Sequence, residues 1–386
     1  MAKYKLGDIC EIVSGSTPRT GIDEYWDGDI KWITPAELDE TSYIITDSAR
    51  KITELAVKKT GLLPLPKGSV ILSSRAPIGK VAIAGCEMYC NQGFKNLICS
   101  DVIINKYLYW FLKANTAFLN SLGRGATFKE ISKAIVSEIE INVPSLSEQE
   151  NAVANLEEIS KVVTLRRQQL TLLDDLKKAR FVEMFGDLLI NDKQWMRLKI
   201  SQICIEIVDC INKTAPTVEC ETEYKMLRTS NVKNGEVDIS EVRYVEQKIF
   251  DKWTRRSVPQ NGDVLLTREA PMGQVGLLYG VKNDVFLGQR LVSYRCDSTK
   301  MNPLFLTYQM MSRYFQDQIE KIGKGSTVKH IPVPDCTEFE VFVPPILKQN
   351  QFADFVQQVN KSKATIQKAL DEAQLLFDSL MQQYFG

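Results

Sequence analysis

The chain has 386 residues, of which 25% are charged and 44% hydrophobic, so it is long enough for two domains and has the composition of a globular protein. Lys and Arg number 48, as do Asp and Glu, so binding of nucleic acid would have to depend on local basic patches. No stretch approaches the roughly 18 apolar residues of a membrane span. The absence of a signal peptide and of CxxC pairs among the nine cysteines predicts a cytoplasmic protein without a disulfide framework.

Residues 1–146 carry mostly strand signals, with helical signals later. Residues 68–75 have the apolar run of a buried strand, and residues 80–84 resume the extended pattern after an Ala-Pro-Ile-Gly turn. Residues 106–122 change to the period of a helix with an aromatic-rich face, and residues 138–143 form a last strand. Strands that come first and helices that come late predict an α+β domain rather than a regular series of βαβ units.

A long helix is predicted over residues 147–186, which contain no proline and no glycine before the last position. At about 1.5 Å per residue its length is on the order of 50 Å. Residues 347–386 repeat this stretch: both copies follow Val-Pro, have Gln at the third position and end in Phe-Gly. Ser147 and Glu150 have the spacing of a capping box, which the second copy lacks.

Both copies carry apolar residues at alternating spacings of three and four, the pattern of helices that bury one strip against each other. Arg166 and Lys363 interrupt the two strips at different heights, which favours one pairing register. A single buried core helix in each half is the alternative, but two strips of equal length favour mutual pairing. The strip residues are Leu156, Ile159, Val163, Leu170, Leu173 and Met184 in the first helix, and Phe352, Val356, Val359, Ile366, Leu370, Phe377, Leu380 and Tyr384 in the second.

Residues 187–346 repeat the order of signals in residues 1–146 with little identity. Residues 259–275 align with residues 66–81, and a helix over residues 304–319 and a glycine-rich basic loop follow in the same places. The intervening loops differ, as expected of one scaffold that carries two different binding surfaces. The chain therefore divides into a domain, a helix, a second domain and a second helix, at residues 1–146, 147–186, 187–346 and 347–386.

The sequence contains no recognisable catalytic motif. No GxxxxGK[ST] phosphate loop and no dinucleotide-binding fingerprint occur, and the cysteines lack zinc spacing. His330 is the one histidine; it cannot build a His-rich metal site and is the only base available to a cysteine nucleophile. A surface position for His330 is the simpler interpretation. We therefore expect no metal site and no catalytic activity of the chain alone.

Three groups of residues point to a known family. They are Gly15-Ser16-Thr17-Pro18 with Tyr25-Trp26-x-Gly28-x-Ile30-x-Trp32, then Arg75-Ala76-Pro77-x-Gly79 with Arg268-x-Ala270-Pro271-x-Gly273, and the Val-Pro and Gln that open both long helices. In this combination, which covers essentially the full chain, the sequence resembles the specificity subunit of type I restriction-modification systems.

The resemblance implies both a fold and a role. The fold would be two tandem mixed α/β target-recognition domains, separated by two long helices that pair as an antiparallel coiled coil with pseudo-twofold symmetry. Each domain would read one half of a bipartite double-stranded DNA target, while the helices set the gap and dock two methyltransferase subunits. Restriction and translocase subunits would complete the complex, without a membrane. No cofactor is expected on this chain, because S-adenosylmethionine would belong to the methyltransferase partner.

An alternative of a different class stays open. The same organisation suits a non-catalytic two-domain coiled-coil scaffold that binds small ligands or proteins without nucleic acid. The two hypotheses differ in whether duplex DNA binds, with or without a methyltransferase partner.

Candidate DNA contacts are polar and basic residues of the loops. Arg, Lys, Gln, Asn, Ser and Thr bind base edges, whereas Lys, Ser and backbone amides suit phosphates. Arg124 and Lys324, each between glycines of a basic loop, are the strongest candidates. The full set is Thr17, Arg19, Lys31, Arg75, Lys80, Arg124 and Lys129 in the first domain, and Lys213, Arg228, Arg268, Gln274, Arg290, Lys324 and Lys329 in the second.

Overall fold

The computed structural model describes residues 2–75, 77–125, 129–211, 213–323 and 329–386. Contacts divide the chain into two compact units: unit 1 comprises Met1–Gln168 and Gln367–Gly386, and unit 2 comprises Gln169–Ile366. Both boundaries fall inside long helices, so each unit contains one mixed α/β domain together with part of each helix. Within the described ranges, no helix is long and apolar enough to cross a membrane.

Unit 1 begins with strands, and most of its helices come later. Its strands are β1 Ala2–Lys5, β2 Cys10–Ser14, β3 Trp26–Ile33, β4 Ile44–Ile45, β5 Lys51–Ile52, β6 Val70–Ser73, β7 Val81–Ala84, β8 Tyr89–Cys90, β9 Phe94–Cys99 and β10 Glu140–Val143. Its helices are α1 Leu6–Ile9, α2 Glu54–Thr60, α3 Asn105–Ala114, α4 Thr116–Ser121, α5 Lys133–Ser137 and the first part of α6 Leu146–Phe185.

Unit 2 follows the same order. Its strands are β11 Arg197–Lys199, β12 Cys204–Asp209, β13 Tyr224–Leu227, β14 Val232–Lys233, β15 Gly235–Val237, β16 Arg243–Val245, β17 Val264–Thr267, β18 Val275–Leu277, β19 Val285–Leu287, β20 Leu291–Cys296 and β21 Glu340–Phe342. Its helices are α7 Ile200–Ile203, α8 Gln247–Trp253, α9 Pro303–Met311, α10 Arg313–Ile322 and the first part of α11 Ile346–Phe385.

The two domains have the same strand order. In unit 1 the main sheet has the order β2-β9-β6-β7-β4, a second sheet has the order β5-β3-β8, and β1 pairs with β10. In unit 2 the corresponding orders are β12-β20-β17-β18-β15-β14, β16-β13-β19 and β11-β21, with β14 in addition. The predicted α+β class and the internal repeat are therefore confirmed.

Strand β6 shows why its sequence is an uninterrupted apolar run. Alternate side chains of a strand point to opposite faces of the sheet. Val70 and Leu72 pack in one core cluster with Leu108 of α3, whereas Ile71 packs in a different cluster with Ile33. Both faces of the strand are therefore covered, and every position along it favours an apolar residue.

A buried glutamine fixes the start of each long helix. Gln149 is 0% exposed; its Oε1 accepts the Ile104 N–H at 2.8 Å and its Nε2 donates to the Val102 carbonyl at 3.0 Å. Gln349 is equally buried, and its Oε1 accepts the Asn302 N–H at 2.8 Å. The Gln shared by both helix starts therefore ties each helix to the segment that precedes α3 or α9.

Helix α6 has its capping box two residues earlier than predicted. The N–H and the hydroxyl of Ser145 donate to Glu148 Oε2 at 2.9 and 2.7 Å, so Ser147 and Glu150 are not the capping pair. Both pairs have the required spacing. The earlier serine is used because the helix begins at Leu146, directly after Ser145.

Within unit 1 the two long helices run antiparallel and contact each other. Asn155 Nδ2 donates to the Tyr384 hydroxyl at 2.9 Å, and Arg167 Nη2 donates to Gln374 Oε1 at 3.1 Å. Residue numbers rise along one helix as they fall along the other. The apolar strip adds to this contact, because the partly buried Tyr384 packs against the core cluster of unit 1 that contains the fully buried Leu156.

Within unit 2 the same antiparallel pairing holds. Lys363 Nζ lies 2.7 and 2.8 Å from the two carboxylate oxygens of Asp174, and Lys177 Nζ donates to Asn360 at 3.2 Å. Partial burial opposes ionisation of Asp174, yet hydrogen bonds from Lys177 and Lys363 hold the pKa of its carboxyl below its usual value. Lys363, which interrupts the apolar strip, therefore has a partner that specifies one register. The predicted helix pairing is confirmed.

The prediction of one continuous helix over residues 106–122 is wrong, as is that over residues 304–319. Each stretch forms two helices, α3 and α4 or α9 and α10. The break in unit 1 falls at Asn115, whose side chain donates to a carbonyl of its own helix at 2.9 Å. After the break, Asn120 and Gln316 donate to carbonyls of the turn that follows β6 or β17, at 2.9 and 3.1 Å. The second helix thus covers that turn.

Candidate nucleic-acid interface

A hydroxyl group braces the turn between two strands of each main sheet. Ser73 Oγ donates to the Pro77 carbonyl at 2.8 Å and accepts the N–H of Lys80 at 2.8 Å. In unit 2, Thr267 Oγ1 donates to the Pro271 carbonyl and accepts the N–H seven residues further on, at 2.5 and 2.9 Å. These matching bonds make Ser73 and Thr267 equivalent and fix the alignment of the two turns.

Arg75 and Arg268, which the sequence pairs, occupy different positions. With the turns aligned, Arg268 corresponds to Ser74, and Arg75 corresponds to Glu269. A shift of one residue along a strand moves a side chain to the other face of the sheet. Arg75 is half-buried, whereas Arg268 is only 8% exposed and its Nη1 donates to the Ile331 carbonyl at 3.1 Å.

Unit 1 brings three predicted contacts together around Glu130. The backbone of Arg75 and that of Arg124 both bridge to Glu130, and the Arg124 and Glu130 N–H groups donate to each other's carbonyls at 3.0 Å. Lys129 precedes Glu130, and both Arg124 and Lys129 are exposed. The Glu130 carboxylate binds the buried Lys95 ammonium at 3.1 Å. We call Arg75, Arg124 and Lys129 the basic edge of unit 1.

Unit 2 has a related arrangement. The main chain of Arg268 forms hydrogen bonds with two segments. Its N–H donates to the Arg290 carbonyl at 2.7 Å, and its carbonyl accepts the Ile331 N–H at 3.0 Å. Lys329, two residues before Ile331, is exposed, as is the side chain of Arg290. Lys324 lies outside the described residues.

The remaining predicted contacts are distributed along other loops. Four of the basic side chains interact with groups of their own unit, which occupies part of their hydrogen-bonding capacity. Arg19 and Lys213 are exposed, and Gln274 is half-buried. The four interactions are Lys31 Nζ to Cys86 Sγ at 3.3 Å, Lys80 Nζ to the Pro35 carbonyl at 3.1 Å, Arg228 Nη2 to the Glu241 carbonyl at 3.3 Å and Arg290 Nε to Glu269 at 2.9 Å.

A threonine and a glutamine pair at the same place in both units. The Thr17 hydroxyl donates to Gln92 Oε1, and the Thr214 hydroxyl donates to Gln289 Oε1 at 3.0 Å. Gln92 and Gln289 each precede the residue whose carbonyl accepts the main-chain bond from the end of β6 or β17. Only Thr17 of these four was a predicted contact. The sequence match of Gln92 with Gln289 was the available signal, but it did not reveal the threonine partner.

The chemistry of these surfaces is that of binding. Guanidinium, ammonium and amide groups are hydrogen-bond donors suited to phosphate oxygens and base edges. In the ranges that the structure describes, no three His, Cys, Asp or Glu side chains lie close enough together to bind a metal ion.

The sequence matches the model of the type I restriction modification DNA specificity domain twice, over residues 1–174 and 192–374. These two matches account for most of the chain, so the chain belongs to the family of type I restriction-modification specificity subunits. Such subunits are the non-catalytic parts of restriction-modification complexes, as expected from the absence of a catalytic motif.

Individual relatives agree with this family. The chain is 29% identical over 403 residues to the type I restriction enzyme MjaIX specificity subunit of Methanocaldococcus jannaschii, with 98% of this chain and 90% of that protein covered. The type I restriction-modification S subunit of M. genitalium has a similar fold, with a TM-score of 0.63, 12% identity and coverage of 100% and 96% of the two chains. A chain from a structure of type I R-M complex assembly and conformational transition gives a TM-score of 0.58 at 17% identity, with coverage of 100% and 97%.

Proposed function

We propose that each unit of this specificity subunit binds one half of a bipartite double-stranded DNA target. The two long helices set the gap between the halves and dock two methyltransferase subunits. DNA and other restriction-modification subunits are the partners that the family implies. We also propose that the complex contains two methyltransferase subunits, which carry S-adenosylmethionine, together with restriction and translocase subunits. Its proposed location is the cytoplasm.

One observation carries this proposal: the same strand order occurs in both units with different loop residues. Arg75 and Arg268 illustrate the difference, since the alignment of the turns places them one residue apart, with Arg75 half-buried and Arg268 buried. Two copies of one scaffold with different side chains at equivalent loops suit two different half-targets.

Local charge supports DNA as the ligand even though the whole chain is neutral. The basic edge of unit 1 presents Arg124 and Lys129 to solvent, close to Arg75. These few cations supply few phosphate contacts, so we expect the isolated chain to bind DNA weakly. Most affinity would come from the complex with methyltransferase subunits, which add further phosphate contacts.

The test is selection from a random duplex pool by the complex of this chain with its methyltransferase subunits. The expected product contains two defined segments separated by a gap of fixed length and random sequence. Arg124→Ala should weaken binding and reduce the salt slope of log K by about one if it contacts a phosphate. Lys3→Ala is the control, because Lys3 is an exposed cation on β1, a strand that pairs with β10 and contributes no residue to the basic edge.

A single continuous enriched segment would contradict the bipartite proposal. A pool that shows no enrichment, with the complex intact, would instead favour the alternative scaffold that binds small ligands or proteins. Tight, sequence-specific binding by the isolated chain at physiological salt would contradict the proposed contribution of the methyltransferase subunits.

A further inference from the structure

The Thr–Gln pairs described above, Thr17 with Gln92 and Thr214 with Gln289, are the same in two loops that otherwise differ. Lys95 lies opposite Ser14 in unit 1, and the equivalent position in unit 2 lies opposite Asp209, so Ser14 and Asp209 are equivalent strand ends. Thr17 follows Ser14 by three residues, whereas Thr214 follows Asp209 by five. Loops of different length thus place a threonine hydroxyl within hydrogen-bonding distance of the equivalent glutamine in each unit.

The Thr–Gln hydrogen bonds contribute little to the folding stability of either unit. Gln92 and Thr214 are exposed, and Thr17 and Gln289 are half-buried. A hydrogen bond between neutral groups in contact with water contributes little net free energy, because water replaces either partner. Its effect is to orient the amide: Oε1 accepts the threonine proton, so the Nε2 group remains available as a donor in a fixed direction.

The location of the pair points to the ligand. Gln92 precedes Gly93, whose carbonyl accepts the Ser74 N–H at 2.7 Å, and Arg75 of the basic edge is the next residue. The oriented amide donor therefore lies beside the cations that the proposed function assigns to DNA. An element that is the same in both units suits a feature common to both half-targets, which differ in their bases and share the phosphate backbone.

We propose that Gln92 and Gln289, each oriented by its threonine, donate an amide N–H to a backbone phosphate oxygen in their own DNA half-target. The pair fixes the position of each unit on the duplex without selecting a base. This inference rests on the proposed function and adds a specific contact to it. The glutamines contact the ligand, whereas Thr17 and Thr214 are positioning residues.

The test uses the complete complex and a duplex that carries its selected target. Gln92→Leu should weaken binding about 3- to 10-fold, the usual contribution of one hydrogen bond. Because glutamine is neutral, the salt slope should stay unchanged, in contrast to Arg124→Ala. Thr17→Val should weaken binding by a smaller factor than Gln92→Leu, and Thr17→Ser should bind as the unsubstituted complex does, because serine retains the hydroxyl. The corresponding changes at Gln289 should act on the other half-target.

A methylphosphonate scan identifies the phosphate. One neutral methylphosphonate in the first half-target should weaken the unsubstituted complex but cause no further loss in Gln92→Leu. A change in the selected bases on Gln92→Leu would overturn the inference in favour of base recognition. Wild-type affinity in Gln92→Leu, with the split target still bound, would overturn the inference and leave the proposed function intact. Absence of DNA binding by the unsubstituted complex would reject the proposed function itself.

A second observation, independent of DNA, concerns two cysteine pairs. Cys10 of β2 lies opposite Cys99 of β9, and Cys204 of β12 lies opposite Cys296 of β20. In each unit the N–H after the second cysteine donates to the carbonyl before the first, at 3.0 and 2.9 Å. Such bonds flank a pair without direct main-chain hydrogen bonds, in which Cα atoms are about 4.5 Å apart and side chains are closest. Disulfides accommodate Cα separations of about 4.4 to 6.8 Å.

One cysteine of each pair is accessible and the other is buried. Cys99 and Cys204 are half-buried, whereas Cys10 and Cys296 are buried, and all are free thiols. The hydrogen bond with Cys99 and burial raise the pKa of the Cys10 thiol well above its usual range. We therefore expect the accessible sulfur to attack an oxidant first. The buried thiol then reacts with the resulting sulfenic acid to form the disulfide.

We infer that both pairs are sites of reversible oxidation by a hydroperoxide. The accessible thiolate attacks one peroxide oxygen; an S–O bond forms, the O–O bond breaks and, for hydrogen peroxide, water leaves after protonation. The partner thiol then attacks the sulfenic sulfur; the S–S bond forms and a second water leaves. Two thiols and one hydrogen peroxide thus give one disulfide and two waters.

Peptide mapping of the full chain tests this inference. After hydrogen peroxide and alkylation, mass spectrometry should find Cys10 linked to Cys99 and Cys204 linked to Cys296, with both links lost on reduction. Cys99→Ser should remove only the first link. Oxidation of the exposed Cys220 while the four paired cysteines remain alkylated would overturn the inference.

Discussion

Replacement of Gln149 by methionine removes the amide that holds the start of α6 but keeps a side chain of similar length. The substitution leaves the Ile104 N–H and the carbonyls of Val102 and Pro144 without their amide partner. Each buried polar group left unsatisfied costs about 1–3 kcal/mol. Val102 is 43% exposed, so we expect water to satisfy part of this deficit. We expect a loss of about 2–4 kcal/mol in the free energy of unfolding of unit 1.

The equivalent glutamine of unit 2, Gln349, allows the same substitution to be tested a second time in this chain. Gln349 makes the matching bonds with Asn302 and Lys300, at 2.8 and 3.0 Å, so Gln349→Met should destabilise unit 2 by a similar amount. Gln357→Met, at an exposed position of α11, is the control and should have an effect within about 0.5 kcal/mol. Hydrogen exchange followed by mass spectrometry locates each effect, and urea denaturation measures its size.

The expected result is faster exchange around α3 for Gln149→Met and around α9 for Gln349→Met, with lower denaturation midpoints for both. If either variant unfolded at the midpoint of the Gln357→Met control, the buried amide would not hold the helix start, and the argument from its three bonds would fail.

Two other predictions follow from the packing and the helices. Asp263 is 2% exposed and accepts two bonds at 2.8 Å from Arg295, which also pairs with Glu206 at 2.6 Å, so Asp263→Asn should cost unit 2 about 1–3 kcal/mol in urea denaturation; an unchanged midpoint would show that the ion pair contributes nothing. Four residues inserted after Thr164, with an apolar residue kept on the strip, add about 6 Å of helix. The gap in the DNA target should then grow by about one or two base pairs while both half-targets stay unchanged; an unchanged gap in an active complex would reject the helices as the determinant of spacing.

Periodicity was sufficient to predict the framework. The apolar strips of α6 and α11, the buried strands β6 and β17 and the repeat of the domains were all visible, because burial imposes a regular pattern on neighbouring residues. The exact ends of the helices were harder to predict, because neighbouring polar residues compete to form the cap or the break. Ser145 and Ser147 both suit a helix cap, and Asn115 interrupts a helix whose apolar pattern continues beyond it.

The site depended on contacts that sequence order does not show. Thr17 and Gln92 are 75 residues apart, and only the pairing of β2 with β9 brings them together. Arg75 and Arg268 look equivalent as Arg and Pro motifs, yet one additional residue before the second proline places Arg268 where Ser74 lies. Single-residue shifts in strands change the face on which a side chain lies, and a motif comparison does not detect them.

The most direct test of two independent DNA-binding units is a domain exchange read out in cells. Residues 1–146 would be replaced by the corresponding domain of another family member, and methylated adenines would be mapped in cells that contain the methyltransferase subunits with the native chain, the exchanged chain or neither. The account predicts that one half of the methylated motif changes while the other half and the gap are retained. A simultaneous change of both halves, or methylation that does not depend on this chain, would contradict it.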